Sequence, residues 1–283
     1  MIFTFRPFIY CIRCKVLLSL ALYYQKFLKT TNMRNLIFNL AGMLMIIAGM
    51  SACKKETPDY SRFYPNALVT VKTTEGGICY LQLDDKTTLK PTNMDKSPFG
   101  EKEVRALVNY TDEGKPENNS LTDFDRTVKI NWIDSILTKM PVMTAGEEND
   151  SKYGTAPIEI INNWTTIVED GYITLCFYGI WGRSGRPHIL NLLAGTDPED
   201  PYTLELRHDA NGDDSYYGRE VTGLVAFNIR ELPDTKGETV DLKLKIKSFS
   251  GDKTITFKYC TGKTTEKGAS ISYKDIDTGI AVR

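Results

Sequence analysis

The sequence predicts an all-β protein of two domains, a small closed barrel followed by an antiparallel β-sandwich. Three observations carry that expectation. From Asn66 onward, apolar residues recur mainly with a period of two, the pattern of strands buried on one face. The runs are short and are punctuated by glycine, asparagine and aspartate, as small all-β domains require. A polar, acidic stretch from Met143 to Ser151 has no such periodicity and separates the two groups of strands. With 283 residues, 41% hydrophobic and 25% charged, the chain can build two ordinary cores.

Residues 1–52 read as a signal region. Met33-Arg34-Asn35 supplies a basic start, and an apolar run from Leu36 to Gly49 follows, interrupted by Asn39. Met50-Ser51-Ala52 then places small residues before Cys53. This is the layout of an export signal, and the apolar run is short for a bilayer span. Cys53 stands where a bacterial lipoprotein signal places the thiol that carries diacylglycerol, although Met50 replaces the more usual leucine. A short membrane anchor that is never cleaved would use the same residues. Translation is expected to begin at Met33, since residues 1–32 would make an abnormally long basic segment. Cys11 and Cys14 have no second pair and no nearby histidine, so they do not read as a metal or redox site. Residues 53–62 are expected to be a lipidated tether, polar enough for a flexible leash.

Residues 1–52 hold six basic and no acidic residues, which leaves 29 basic against 36 acidic from Cys53 onward. A body with a net charge of −7 would not release counterions from a phosphate backbone, so nucleic acid is not an expected partner. Cys79, Cys176 and Cys260 are an odd set lying in alternating apolar runs, and they read as buried small hydrophobes. A bridge between Cys176 and Cys260 stays open.

The barrel is expected within residues 63–145. Val69 and Val71 alternate with Thr70 and Lys72, and Cys79, Leu81 and Leu83 alternate with Tyr80, Gln82 and Asp84. Glu75-Gly76-Gly77 between them predicts a hairpin, because glycine reaches the φ > 0 positions such turns need. Val104, Ala106 and Val108, then Val128, Ile130 and Trp132, continue the pattern. The sandwich is expected within residues 155–283. Its strands are predicted at 172–178, 188–193, 202–208, 224–229, 240–249 and 254–260. Helix is scarce, with at most a turn or two expected between Pro157 and Thr166.

The chain resembles the NigD-like lipoproteins of Bacteroidetes. The residues that carry the likeness are Tyr64-Pro65-Asn66-Ala67-Leu68-Val69-Thr70-Val71-Lys72 and Tyr80-Leu81-Gln82-Leu83-Asp84-Asp85. They continue with Leu89-Lys90-Pro91-Thr92-Asn93, the run from Glu103 to Tyr110, and Val221-Thr222-Gly223-Leu224-Val225-Ala226-Phe227. The resemblance implies a signal peptide, an N-terminal OB-like barrel, a C-terminal β-sandwich and a supposed role in bacteriocin immunity. These motifs are strand signatures and carry no catalytic residues.

The chain offers little recognisable chemistry. His188 and His208 are the only histidines, which limits acid–base and metal options. Ser184 lies in Gly182-Arg183-Ser184-Gly185-Arg186, but arginine at 186 breaks the nucleophile-elbow spacing. Asp209-Ala210-Asn211-Gly212-Asp213-Asp214 misses EF-hand spacing, and a hairpin turn on Asn211-Gly212 explains it better. The row Lys243, Lys245, Lys247 reads as protection of an edge strand ahead of a basic binding stripe. No catalytic residue, metal or cofactor is expected.

The best candidate binding surface is the glycine-rich loop with Trp181, Arg183 and Arg186, extended by Tyr216 and Tyr217. Tryptophan and arginine are the residues most enriched at interface hot spots. The same loop would also suit a Trp181 that merely caps the sandwich core. The expected function is that of a lipid-anchored accessory protein of the cell envelope, placed at the outer membrane, that engages another protein. The alternative is carbohydrate binding, with Trp164 and Trp181 as stacking platforms.

Overall fold

The computed structural model describes residues 60–116, 124–213 and 218–263. Strands β1 (Ala67–Thr73), β2 (Cys79–Gln82), β3 (Thr88–Pro91), β4 (Val104–Gly114) and β5 (Arg126–Ser135) close a barrel in the order β1-β2-β3-β5-β4. All pairings are antiparallel except β3 with β5. The period-two pattern explains the closure. Val69, Val71, Cys79, Leu81, Leu89, Ala106, Val108 and Val128 point inward and fill the barrel. The Glu75-Gly76-Gly77 turn joins β1 to β2, with Gly77 at φ 80. Register shifts near Asn109 and Asp112 bend the long β4–β5 ribbon, the deformation that lets five strands close.

The second domain stacks two sheets. One has the order β6 (Leu137–Lys139), β13 (Arg219–Asn228), β10 (Tyr172–Trp181), β8 (Glu159–Ile161), with β9 (Ile167–Glu169) also paired to β10. The other runs β15 (Gly251–Tyr259), β14 (Val240–Ser248), β12 (Thr203–Asp209), β11 (Ile189–Ala194), β7 (Val142–Met143). The core between them includes Ile173, Leu175, Phe177, Leu190, Leu192, Leu204, Leu206, Val225, Phe227, Leu242, Leu244 and Ile246.

Several details depart from the sequence expectations. Three pairings in the sandwich are parallel: β6 with β13, β7 with β11, and β12 with β14. The last follows because the chain leaves the second sheet after β12, forms β13 in the first, and returns. Asn211 and Gly212 do take positive φ, 51 and 72, as a tight turn requires. The turn nevertheless makes a crossing between sheets and not a hairpin, since β12 and β13 do not pair. The short helix α1 (Asn149–Tyr153) and the 3-10 turn before it lie upstream of Pro157. The 157–166 segment carries β8 and then one tight turn, closed by the Thr166 amide on the Asn163 carbonyl at 3.1 Å, within the turn or two expected there. Strand β14 lies between β12 and β15, so its lysines decorate the outer face of an interior strand and protect no edge. Cys79, Cys176 and Cys260 are buried and free, so no 176–260 bridge forms.

The outer face of the first sheet packs against the barrel. Leu68 and Leu107 point out of the barrel wall to meet Ile136, Ile167 and Ala226, with Trp132, Trp164 and Leu224 packed around them. Beside this apolar seam, Lys72 Nζ lies 2.6 Å from Asp170, and Arg230 Nη2 2.5 Å from Glu103. The Tyr172 hydroxyl donates to Glu103 at 2.9 Å. Among the described residues no helix is long and apolar enough to cross a membrane.

Candidate functional site

The loop after β10 crosses from the first sheet to the second at one end of the sandwich. Its geometry starts from the alternation of β10, which turns Ile173, Leu175, Phe177 and Trp181 toward the core. Gly179 interrupts that row where a side chain cannot fit. A Cβ there would stand 2.2 Å from Trp181 Cζ3, so the indole folds back over the bare glycine backbone. Trp181 is therefore 3% exposed. It stacks on Phe177 at 5.8 Å and 15° and on His188 at 4.1 Å and 10°.

Both histidines lie in this cluster. His188 is 0% and His208 2% exposed, and His188 Nδ1 stands 2.7 Å from His208 Nε2. His208 Nδ1 meets the Pro157 carbonyl at 3.2 Å. At the other end, His188 Nε2 is 3.4 Å from Asp213 Oδ2, an electrostatic contact too long for a good hydrogen bond. Burial pushes His208 down to about 4. Burial also lowers His188, against the opposing pull of Asp213. Asp213 is held below the usual carboxylate range chiefly by hydrogen bonds from the Ser184 hydroxyl and amide.

Asp213 ties down the loop. Its Oδ1 accepts from the Ser184 amide at 2.8 Å, and its backbone carbonyl accepts from the Gly182 amide at 3.0 Å. Gly182 is required here, since a Cβ would fall 2.3 Å from Asp213 Oδ1. Ser184 Oγ accepts from the Arg186 amide at 3.2 Å. The serine thus serves the loop and Asp213, and no histidine activates it as a nucleophile would need. Asp209 Oδ1 accepts from the Asn211 amide at 2.7 Å, so Asp209 serves the turn while Asp213 serves the loop. Among the described residues no three His, Cys, Asp or Glu side chains converge in a way that could hold a metal.

The sequence-predicted site residues separate into three groups. Arg183 and Arg186 are exposed, and Arg186 Nη1 reaches the Asn211 carbonyl at 3.3 Å. Trp181 lies in the core and supports the loop from below, as a core cap and not as a contact surface. Its rings are covered by Phe177 and His188, which removes it as a platform for a sugar ring. Trp164 is half-buried at the barrel seam. Tyr216, Tyr217 and Cys53 lie outside the described residues. Sequence reasoning missed the histidine pair. The signal available was that the two histidines bracket the loop and its returning turn, His188 just after the loop and His208 at the end of β12.

A second polar surface lies on the outer face of the second sheet. Arg207 pairs with Asp150 at 2.6 Å and Glu205 at 2.8 Å. With Lys245, Lys247, Asp252 and Lys253 these line an open groove of mixed charge. Its charges largely answer one another, which gives it little preference for one ligand.

Comparison with known proteins supplies the lineage. Residues 68–136 match the NigD-like N-terminal OB domain and residues 141–259 the NigD-like C-terminal beta sandwich domain. A protein of Parabacteroides distasonis described as toxin-related is 38% identical, over 69% of this chain and 92% of its own, with a TM-score of 0.57. A protein of unknown function from Bacteroides vulgatus is 22% identical, over 75% of this chain and 98% of its own, with a TM-score of 0.58. A NigD-like immunity protein from Bacteroides caccae is 20% identical, over 67% of this chain and 90% of its own, with a TM-score of 0.45. No curated protein matches the chain.

Proposed function

We infer the role of this chain from its lineage, for it belongs to the NigD-like family, an OB barrel and a β-sandwich in tandem. We propose that it is a non-enzymatic accessory protein of the cell envelope, lipid-anchored at Cys53, that engages another protein through the 182–186 loop. A bacteriocin-immunity role is the narrower form of the same reading and rests on the family alone.

The observation that carries the proposal is the contrast between the loop's exposed side chains and its fixed backbone. Arg183 and Arg186 stand in solvent, while Gly182 and Ser184 between and beside them are bonded to Asp213. A loop held this way loses little freedom on binding, which favours affinity. Exposed guanidinium groups on such a loop fit carboxylates on a protein partner. The acidic balance of the chain from Cys53 onward weighs against nucleic acid.

The test is a crosslinked pull-down of the tagged full-length protein from its native cells, run beside an Arg183→Ala, Arg186→Ala double variant. A stoichiometric protein captured by the wild type and lost with the double variant is the expected result. Equal capture by both moves the interface elsewhere, and an empty pull-down removes the protein-partner reading.

A further inference from the structure

The buried histidine row contains one hydrogen-bond gap more than its neutral form has protons to fill. The row runs Pro157 O, His208, His188, Asp213 Oδ2, with separations of 3.2, 2.7 and 3.4 Å. Both ends are oxygen acceptors, so three hydrogen bonds need three N–H or O–H protons. Two neutral imidazoles supply two, one each. If His208 donates to Pro157 and His188 to His208, the lone pair of His188 Nε2 faces the Asp213 carboxylate. If both rings carry the other tautomer, the lone pair of His208 Nδ1 faces the Pro157 carbonyl instead. Every neutral arrangement leaves one acceptor facing another. The 3.4 Å separation at the Asp213 end is the longest of the three, and it is there that the first arrangement sets a lone pair against a carboxylate.

We propose that this row is a one-proton latch: it takes up a single proton shared by both histidines, and that proton closes the His188–Asp213 gap and fastens the 182–186 loop. The loop follows because Asp213 holds it through the Ser184 and Gly182 amides. As regulation of the binding loop, the inference rests on the function proposed above; as a proton site, it stands on the row alone.

The surroundings favour one proton over two. The charged groups that bear on His188 are Asp213 and Asp209, both anionic. Those that bear on His208 are Asp209, which favours a proton, and His188, which opposes a second one. The 154–158 segment presents backbone to His208, with the Pro157 carbonyl in contact. Strand β10 presents the uncharged ring of Trp181 to both histidines. The Arg186 guanidinium is held at the Asn211 carbonyl on the turn before Asp213. Burial disfavours the proton overall, but Asp213 offsets part of that cost. Between two folded states, the proton therefore selects the one with Asp213 drawn in.

The test is a histidine-resolved NMR titration of the full-length protein from about pH 8 to about pH 3, reaching below the ordinary histidine range to cross a depressed transition. It is read together with hydrogen exchange at the Ser184 amide, corrected for the intrinsic pH dependence of exchange. Wild type is compared with Asp213→Asn. That asparagine keeps an Oδ1 acceptor for Ser184 and sets an amide donor opposite His188 Nε2, filling the third gap without a proton. In the wild type, both imidazoles should move through one shared transition, and Ser184 should gain about tenfold protection below it, the equivalent of one charge-assisted hydrogen bond. In Asp213→Asn, Ser184 should be protected throughout and the shared transition displaced to lower pH. Independent titration of the two histidines overturns the latch. So does Ser184 protection indifferent to pH in the wild type, or a variant that behaves as wild type. None of these readouts involves a partner, so they stand or fall separately from the pull-down.

Discussion

Arg105 and Glu169 form an ion pair across the boundary between barrel and sandwich, Nη2 to Oε1 at 2.5 Å, with Arg105 0% and Glu169 3% exposed. The guanidinium also donates to the hydroxyls of Thr70 in the barrel, at 2.9 Å, and Thr174 in the sandwich, at 3.3 Å. A single fork thus joins β1, β4, β9 and β10. Replacing Arg105 alone takes the guanidinium from a buried carboxylate, which costs about 3–5 kcal/mol. Arg105→Met is expected to lower Tm by several degrees in thermal unfolding. Arg105→Met with Glu169→Leu should recover most of the loss, because the buried charge is gone as well. A double variant no better than the single one would mean that the pair holds the domains together in a way packing cannot replace.

Gly179→Ala tests how Trp181 is seated. The added methyl falls on the indole at a 2.2 Å approach, so the ring or the strand must shift. Overpacking of this kind costs about 1–3 kcal/mol. The shift should also alter the near-ultraviolet circular dichroism, since the stack on Phe177 and His188 is disturbed. An unchanged spectrum and an unchanged Tm would show that the indole has room that the structure denies it.

The strands were legible in the sequence because side-chain alternation is local. Val240 to Ser248 reads inward and outward along nine residues without reference to any neighbour. The neighbours themselves were not legible. Nothing local tells whether β14 is an edge or an interior strand, so its lysines read as edge protection although the strand is interior. Asn211-Gly212 announced a turn correctly, but whether the chain pairs back or crosses to the other sheet depends on where β13 lies. The same limit hid the site. Trp181 reads as a contact residue because a loop follows it, while its burial depends on a bare Gly179 and on two histidines, His188 just before β11 and His208 on β12. Arg105 read as one more strand residue, since its partners are 35, 64 and 69 positions away.

Cys53→Ala tests the anchor. The proposal that Cys53 bears the lipid rests on the signal-like layout before it and the short polar run after it. Metabolic labelling with a fatty acid should mark the wild type and leave the variant unlabelled. Label retained on the variant would sink the lipoprotein reading and favour an uncleaved anchor.

Acid should weaken the fold through its histidines before it does so through its carboxylates. His208 falls from an ordinary value near 6.5 to about 4 on folding, and His188 shifts in the same direction. A histidine whose folded value is depressed binds more protons when unfolded, so it destabilises the fold as pH drops. Its contribution is fully present above pH 6.5 and declines steadily as pH falls toward 4. For His208 alone the loss by the bottom of that window is about 3 kcal/mol. Asp112, Asp125 and Asp200 are also lowered by folding, but from 3.8, so their contribution begins to fail only near and below pH 4. The interval between pH 6.5 and 4.5 therefore belongs mainly to the two histidines. Urea unfolding of the wild type across that interval should show a steady fall in stability, and His208→Gln should flatten it. A flat wild-type profile would mean that the row already holds its third proton at neutral pH, with His188 paired to Asp213 as a cation.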